Sequence, residues 1–345
     1  MAIFYWKGGA GSPSDQWNVA SNWCIDDALA NVASAYPQDA TDIAVITDDA
    51  DENIATLGTA ITIAAFINLS TGTRYLAAND YTLTVASATF IGNGCYNSGN
   101  ITGTCVFSGS NSQNYGDITG ACVFSGSGSE NNAIVDGDAI FNGSGSTNDY
   151  YVNYSAIFSG SGSSNYGNVS YYSSAAVMAL TGSGSSAAGS CYGHAVVSGS
   201  SASSANVSGA CIVDGGSARI NGTVGKGAII LSGFNDWQTI NGGCIIAGGG
   251  ANQAWNEGTI YGGCILADYG ENKSVNGLIN DGCLVYGNAS KNGTYGTIAG
   301  PCIVLAGSNF TNEGTISGTL LPLTTFTNTG TLSGNKPLDV LNAGI

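Results

Sequence analysis

A short phrase of apolar and small residues recurs along most of the chain. It consists of an apolar residue, three residues that usually include a glycine, a small residue, and two apolar residues. Two clear copies are ITGACVF, from Ile118 to Phe124, and INGGCII, from Ile240 to Ile246. The small slot recurs at steps of 16 to 20 residues, at Cys105, Cys122, Ala139, Ala156, Ala176, Ala195, Cys211, Ala228, Cys244, Cys264, Cys283 and Cys302. A fixed period of this length is typical of a solenoid.

The repeat unit is too short for two helices, so each copy is predicted to be one coil of a β-solenoid. The expected fold is all-β, a parallel β-helix with two or three short strands per coil and a small N-terminal cap. Glycine, serine and asparagine lie between the apolar groups and are expected at the corners, where they tolerate turn geometry. A right-handed winding is expected because parallel crossovers are nearly always right-handed.

The chain divides into three predicted parts. Residues 1–60 do not repeat, and they carry Trp6, Trp17 and Trp23 together with nine of the 23 acidic residues. A solenoid needs such an end to cover its open core and block edge pairing. Residues 61–335 are predicted to form about 14 coils. Residues 336–345 form a short C-terminal tail.

The two apolar residues after the small slot raise a question of orientation. Side chains alternate between the faces of a strand, so both cannot point inward unless the strand bends between them. Either a corner falls there, or one aliphatic column lies on the outside. The first of the two positions would supply this column, with candidate interface residues Val106, Val123, Ile140, Ile157, Ile212, Ile245, Ile265 and Ile303. An exposed stripe of that length would require a partner, most simply identical copies around a closed axis. If the column lies outside, a homo-oligomer is therefore expected.

Composition and charge restrict the classes of partner that the protein can bind. Apolar residues make up 43% of the chain and recur in register, which disordered chains do not show. The formal charge of −16 repels phosphate backbones, so no nucleic-acid partner is expected. No apolar run approaches the ~20 residues of a membrane helix, so no membrane insertion is expected. The N-terminus shows no secretory signal pattern, which favours cytoplasmic synthesis and retention there or release by another route, such as lysis inside a virus particle.

The ten cysteines do not resemble a disulfide framework. Seven of them occupy the slot that alanine fills in other coils, so the slot selects a small apolar side chain, which a free thiol provides. We therefore predict reduced thiols. The chain has no C-x-x-C pair and a single histidine, His194. A metal site of the usual cysteine and histidine type is not expected, and no cofactor is predicted.

No catalytic constellation stands out from the repeat. A polysaccharide-cleaving β-helix would need paired carboxylates, for which Asp136 and Asp138 are candidates, or a basic residue such as Arg219 or Lys226. The two aspartates lie two residues apart at a predicted corner, where a solvated turn explains them, and His194 stands alone. The sequence therefore favours a non-enzymatic protein.

Tyrosines are concentrated in the middle coils, and these are expected to be exposed. They are Tyr115, Tyr150, Tyr151, Tyr154, Tyr166, Tyr171 and Tyr172. Exposed aromatic rings can stack on sugars or pack against a partner. The alternative is that they fill the edges of coils.

The N-terminal segment supplies a resemblance. Tyr5-Trp6-Lys7-Gly8-Gly9, Trp17-Asn18, Ala20-Ser21-Asn22-Trp23, Pro37 and Asp42-Ile43-Ala44-Val45-Ile46 resemble the opening of large β-helical surface proteins of bacteria and their phages, including autotransporter-like adhesins. The repeats are similar in style to phage tail-fibre and tailspike β-helices.

The resemblance implies a structural part of a phage particle: a fibre, spike or capsid decoration located in the virion, for which a homotrimer is expected. The segment with Trp6, Trp17 and Trp23 would attach it to other virion proteins, and it would contact host-surface glycans. The alternatives are a bacterial adhesin, located outside the cell or on its surface, and a polysaccharide-degrading enzyme.

Overall fold

The computed structural model describes residues 1–8, 15–48, 54–71, 75–77, 81–235, 238–248, 254–273, 277–324 and 326–333. The predicted tail at 336–345 lies outside these residues. Contacts divide the chain into an N-terminal unit, Met1–Ser173, and a C-terminal unit, Ser174–Ile345. The predicted all-β fold of stacked parallel coils is confirmed, with about 15 turns summed over the two units. The one helix among the described residues is a 3-10 turn, Ala20–Asn22, and none there has the length and hydropathy needed to cross a membrane.

The N-terminal unit contains two stacks of strands. The first stack comprises Ile3–Trp6, Trp23–Cys24, Ile43–Ile46, Ile61–Asn68, Thr82–Phe90, Asn100–Phe107, Cys122–Phe124, Ala139–Phe141 and Ala156–Phe158. The second comprises Ile54–Thr56, Tyr75–Ala77, Tyr96–Asn97, Gln113–Asn114, Glu130–Asn131, Thr147–Asn148 and Ser164–Asn165.

Register in the N-terminal unit places equivalent residues over one another. Cys105 pairs with Cys122, Cys122 with Ala139, and Ala139 with Ala156, so one coil here takes 17 residues. The parallel pairing also includes Ile43 with Ala65 and Ile3 with Ile43. It therefore extends back into the segment predicted as the cap.

The three N-terminal tryptophans form one buried cluster. The ring centroids of Trp6 and Trp17 lie 5.0 Å and 4.6 Å from that of Trp23, both edge to face. The indole N–H of Trp17 donates to the Pro37 carbonyl at 2.9 Å, and that of Trp23 donates to the Trp17 carbonyl at 2.7 Å. Both polar indole atoms are thus satisfied inside the protein, as buried tryptophan requires.

Two ladders fill the core of the N-terminal unit. The first is a stack of phenylalanine rings, with neighbouring centroids 4.5–5.0 Å apart, contributed by Phe90, Phe107, Phe124, Phe141 and Phe158. The second is a column of fully buried asparagines, in which each side-chain amide from the first to the fourth donates to the next side-chain oxygen at 2.7–2.9 Å, formed by Asn97, Asn114, Asn131, Asn148 and Asn165. The asparagines predicted at corners thus include a set that points inward.

The C-terminal unit contains three stacks of strands. The first comprises Val177–Leu180, His194–Ser198, Ala210–Asp214, Gly227–Ile230, Cys244–Ala247, Cys264–Ala267, Cys283–Tyr286, Cys302–Val304 and Leu320–Pro322. The second comprises Ser186–Ala187, Ala202–Ser203, Arg219–Ile220, Phe234–Asn235, Ala254–Asn256, Gly270–Asn272, Ser290–Asn292, Phe310–Asn312 and Thr327–Asn328. The third comprises Thr239–Ile240, Thr259–Ile260, Leu278–Ile279, Thr297–Ile298, Thr315–Ile316 and Thr331–Leu332.

Register in this unit corrects one coil of the predicted repeat. Met178, and not Ala176, pairs with Ala195 in the small slot. The outward position beside it is therefore Ala179, which pairs with Val196. The ladder of asparagines recurs here, with hydrogen bonds of 2.7–2.9 Å between successive members Asn235, Asn256, Asn272, Asn292, Asn312 and Asn328. The first five are buried and Asn328, at the end, is exposed.

Glycine at the corners permits the close approach of successive coils. A Cβ atom added to Gly126 would lie 2.0 Å from the carbonyl oxygen of Gly109 in the coil beneath it. Only a residue without a side chain fits such a backbone contact. The high glycine content of the chain therefore serves stacking as well as turning.

All ten cysteines are free and buried, as predicted. Burial raises the pKa of the Cys95 thiol to about 11 and that of Cys211 to about 12. The thiols of Cys95 and Cys211 are therefore almost entirely un-ionised near neutral pH, and the thiolate is the reactive form.

This burial leads to a prediction about thiol labelling. At pH 8, iodoacetamide is expected to modify Cys95 and Cys211 in the native protein at least about 100-fold more slowly than in denaturant, because their pKa values lie far above the ordinary thiol value. Intact mass and peptide mapping over time would measure this. All ten thiols should react in denaturant, which provides the control; native labelling of these two at the denatured rate would contradict the buried assignment.

Candidate functional site

The strands of the first stack carry an outward aliphatic column. In Cys122–Phe124 the small residue and the phenylalanine are buried, and Val123 between them is half-buried and faces out. The strand runs straight through this triplet, so the alternative of a corner between the two apolar residues is wrong. The outward orientation is the outcome of simple strand alternation.

The column is continuous within each unit because equivalent residues pair directly. In the N-terminal unit it comprises Val106, Val123, Ile140 and Ile157. In the C-terminal unit it comprises Val196, Ile212, Ile229, Ile245, Ile265, Leu284, Ile303 and Leu321. Ile157 and Ile212 are 39% and 40% exposed. All eight residues named as interface candidates thus face outward, while their role in assembly stays a prediction.

A shallow groove of about 700 Å³ runs beside the column in the C-terminal unit. Its lining combines column residues, cysteines of the small slot and the glycines that precede them. Gly243, Gly263 and Gly282 have φ values of 84°, 80° and 103°, a conformation that other residues rarely adopt. A Cβ atom at Gly242 would lie 1.8 Å from the Lys226 carbonyl oxygen. Because glycine has no side chain, the surface is recessed beside the aliphatic side chains.

The groove is apolar except at one point. Asp281 is the one charged side chain among the described residues that line it. Its Oδ2 atom accepts a hydrogen bond from the Gly262 N–H at 2.6 Å, so this carboxylate is tied to the neighbouring coil. The groove was not predicted from the sequence, although the glycine pair before Cys244 and again before Cys264 could have indicated it.

The residues considered for catalysis make structural hydrogen bonds. Asp136 accepts from the Asn153 side-chain amide at 3.0 Å, and Asp138 accepts from the Ser155 N–H at 2.9 Å. His194 accepts the Ala210 N–H through its Nδ1 atom at 3.1 Å. Each contact joins one coil to the next.

The two basic candidates are exposed and lie in one stretch of the C-terminal unit. The guanidinium of Arg219 lies 5.1 Å from the centroid of the Phe234 ring, a cation–π distance. Lys226 precedes the strand Gly227–Ile230. Among the described residues, no group of three or more histidine, cysteine or acidic side chains is arranged to hold a metal ion.

The side chains of the tryptophans named as attachment candidates are buried and do not contribute to the protein surface. Trp6, Trp17 and Trp23 are each 0% exposed, so the expectation that these side chains contact a partner directly is corrected. The physical reason is that three large apolar rings gain most by packing on one another over the first coils. Attachment through other parts of residues 1–60 stays a prediction.

Comparison with known proteins returned no match for this chain, whether against family models, curated proteins or solved structures. The evidence for function therefore consists of the solenoid, the aliphatic column and the surface chemistry of the described residues.

Proposed function

We propose that the chain is a non-enzymatic structural component of a phage particle: a β-helical fibre, spike or capsid decoration protein that assembles as a homotrimer. The observation that carries the proposal is the aliphatic column, which follows consecutive coils on the outside of a β-solenoid. A solenoid of this kind fits a fibre, a spike or an adhesin. Exposed apolar surface of this extent in a soluble protein favours contact with a partner.

The internal ladders support a mechanical role. Stacked phenylalanine rings and hydrogen-bonded asparagines tie each coil to its neighbours, so deformation of a coil would break contacts on both sides. Identical copies are the simplest partners because a column with a uniform repeat meets a second column with the same spacing. The residues assigned to contact in the proposed trimer are those of the aliphatic column.

The assembly proposal predicts a defined effect of charge in the column. Ile265→Asp is expected to convert a trimer of the 34.5 kDa chain into a folded monomer, weakening association by at least about 100-fold, because a desolvated unpaired carboxylate is costly at an interface. Native mass spectrometry and light scattering would report the mass, and circular dichroism would report the fold.

Thr259→Asp is the matched control because Thr259 lies on the third stack, six residues before Ile265, and is half-buried beside the inward Ile260. This variant should remain trimeric. A monomeric unmodified protein, or an Ile265→Asp variant that still forms trimers, would refute assembly through the column.

The phage origin has a separate test in the gene neighbourhood. Capsid and tail genes beside this gene are expected. A neighbourhood of secretion and cell-surface genes would contradict the virion proposal and favour a bacterial adhesin with the same fold.

A further inference from the structure

The repeat is interrupted between Val169 and Met178 in a way that changes the surface. Small-slot residues Cys122, Ala139 and Ala156 are 17 residues apart, whereas Met178, which pairs with Ala195, follows Ala156 after 22. Val152 and Val169 pair directly and keep the 17-residue spacing. The five extra residues therefore enter after Val169. In solenoids, insertions of this kind map to loops on one face, which is often the binding face.

The beginning of the insertion presents two tyrosines to solvent. Tyr171 and Tyr172 are 51% and 69% exposed. Their rings contact each other at 5.2 Å between centroids, and Tyr171 contacts Tyr151 at 5.7 Å. Tyr151 in turn packs on Tyr150 at 4.6 Å, and all three contacts are edge to face. We call these four residues the tyrosine cluster.

Backbone hydrogen bonds hold this part of the insertion in place. Ser170 has a φ of 66°, which is unusual for a residue other than glycine. Its N–H donates to the Val152 carbonyl at 2.9 Å, and the Tyr172 N–H donates to the Asn153 carbonyl at 3.3 Å. The exposed rings are thus held on a fixed backbone, which reduces the entropy lost when a ligand binds.

The charges around the tyrosine cluster indicate which class of ligand it can bind. Residues 130–173 contain four acidic residues, Glu130, Asp136, Asp138 and Asp149, and no basic ones. Asp149, adjacent in sequence to Tyr150, has its pKa raised by burial and by the charge of Glu130. An anionic polysaccharide would be repelled here. Tyrosine rings stack on the apolar face of a sugar ring, and neighbouring carboxylates and amides accept or donate hydrogen bonds to hydroxyl groups.

We propose that the tyrosine cluster is a binding site for neutral glycans. This inference rests on the proposed function, since it supplies the contact with a host surface that a fibre or spike would make. The cluster offers exposed ring surface, and Asp149 directly precedes Tyr150 in the sequence. A chain of uncharged sugars can bind there without charge repulsion.

The test uses the full-length protein and a panel of neutral hexasaccharides of glucose, mannose, galactose and N-acetylglucosamine, with hexagalacturonate as the anionic probe. Isothermal calorimetry and saturation-transfer NMR would measure binding at millimolar sugar. At least one neutral hexasaccharide is expected to bind. The double variant Tyr171→Ser, Tyr172→Ser should weaken that binding by about tenfold, because two stacking rings are removed.

A second double variant, Tyr286→Ser with Tyr295→Ser, is the control because both tyrosines are exposed, at 56% and 66%, and lie in the C-terminal unit. It should bind like the unmodified protein. No binding of any neutral probe, binding confined to hexagalacturonate, or equal loss in both double variants would overturn the site. The native mass of the same samples should also be measured. A trimer that binds no sugar would contradict the glycan site but not the proposed assembly.

Discussion

Replacing Phe124 with alanine is expected to lower the free energy of unfolding by about 3–5 kcal/mol. Phe124 is the middle ring of the stack, with centroids 5.0 Å from Phe107 and 4.8 Å from Phe141. Its removal leaves a cavity whose walls belong to three coils, and the coils cannot close it without breaking the strand pairing on either side. Guanidinium denaturation followed by circular dichroism, at one fixed protein concentration, would measure the loss.

Phe124→Leu is the matched control because it keeps much of the apolar volume at the same position. It should cost less than half as much as the alanine substitution, since the remaining cavity is smaller. If both variants unfold at the midpoint of the unmodified protein, the ring stack does not contribute to stability as described.

Replacing Asn131 with alanine is the second substitution with a large expected effect, a loss of about 3–5 kcal/mol in the free energy of unfolding. The Asn131 amide donates to the Ala133 carbonyl at 2.7 Å and to the Asn148 side-chain oxygen at 2.8 Å. Its own oxygen accepts from the Asn114 amide at 2.9 Å. The substitution removes all three bonds and leaves their partner atoms buried, which costs more than the bonds contribute.

Asn142→Ala supplies the comparison within the next coil, because Asn142 is exposed at a corner. Its expected cost is within about 0.5 kcal/mol, as for most surface positions. The same denaturation experiment applies. Equal midpoints for the two alanine variants would show that the ladder is not a source of stability.

Particular residues show how much of the structure could be predicted from the sequence. The recurrence of Cys or Ala in one slot correctly predicted a buried, small, apolar position and unpaired thiols, because a coil-on-coil stack puts equivalent residues in the same environment. The prediction was wrong for one coil, where Met178 takes the place expected for Ala176. There the five-residue insertion shifted the apolar pattern, and the alanine-valine pair at 176 and 177 imitated the repeat.

Orientation was the part that the sequence left open. Two apolar residues after the slot were compatible with a corner or with an outward column, and only the straight strand at Cys122–Phe124 distinguishes them. The tryptophans illustrate the same limit: Trp6, Trp17 and Trp23 were expected to attach the protein to a partner, yet they pack on one another. Composition and spacing do not report which side of a strand faces water when both sides carry apolar residues.

The sequence by itself determined that this chain stacks in parallel coils, because a period near 17 residues brings like residues together at every turn. It also determined which residues share a column, except in the coil where Met178 takes the place expected for Ala176. The tertiary structure alone decided which columns face inward, placing Asn131 and its equivalents in the core and Ile265 and its equivalents outside. The physical reason is that the side of a strand that faces the core depends on the backbone angles at the corners. These corners consist of glycine, serine and asparagine, which permit several turn geometries. Packing of the whole stack therefore selects the geometry that is adopted.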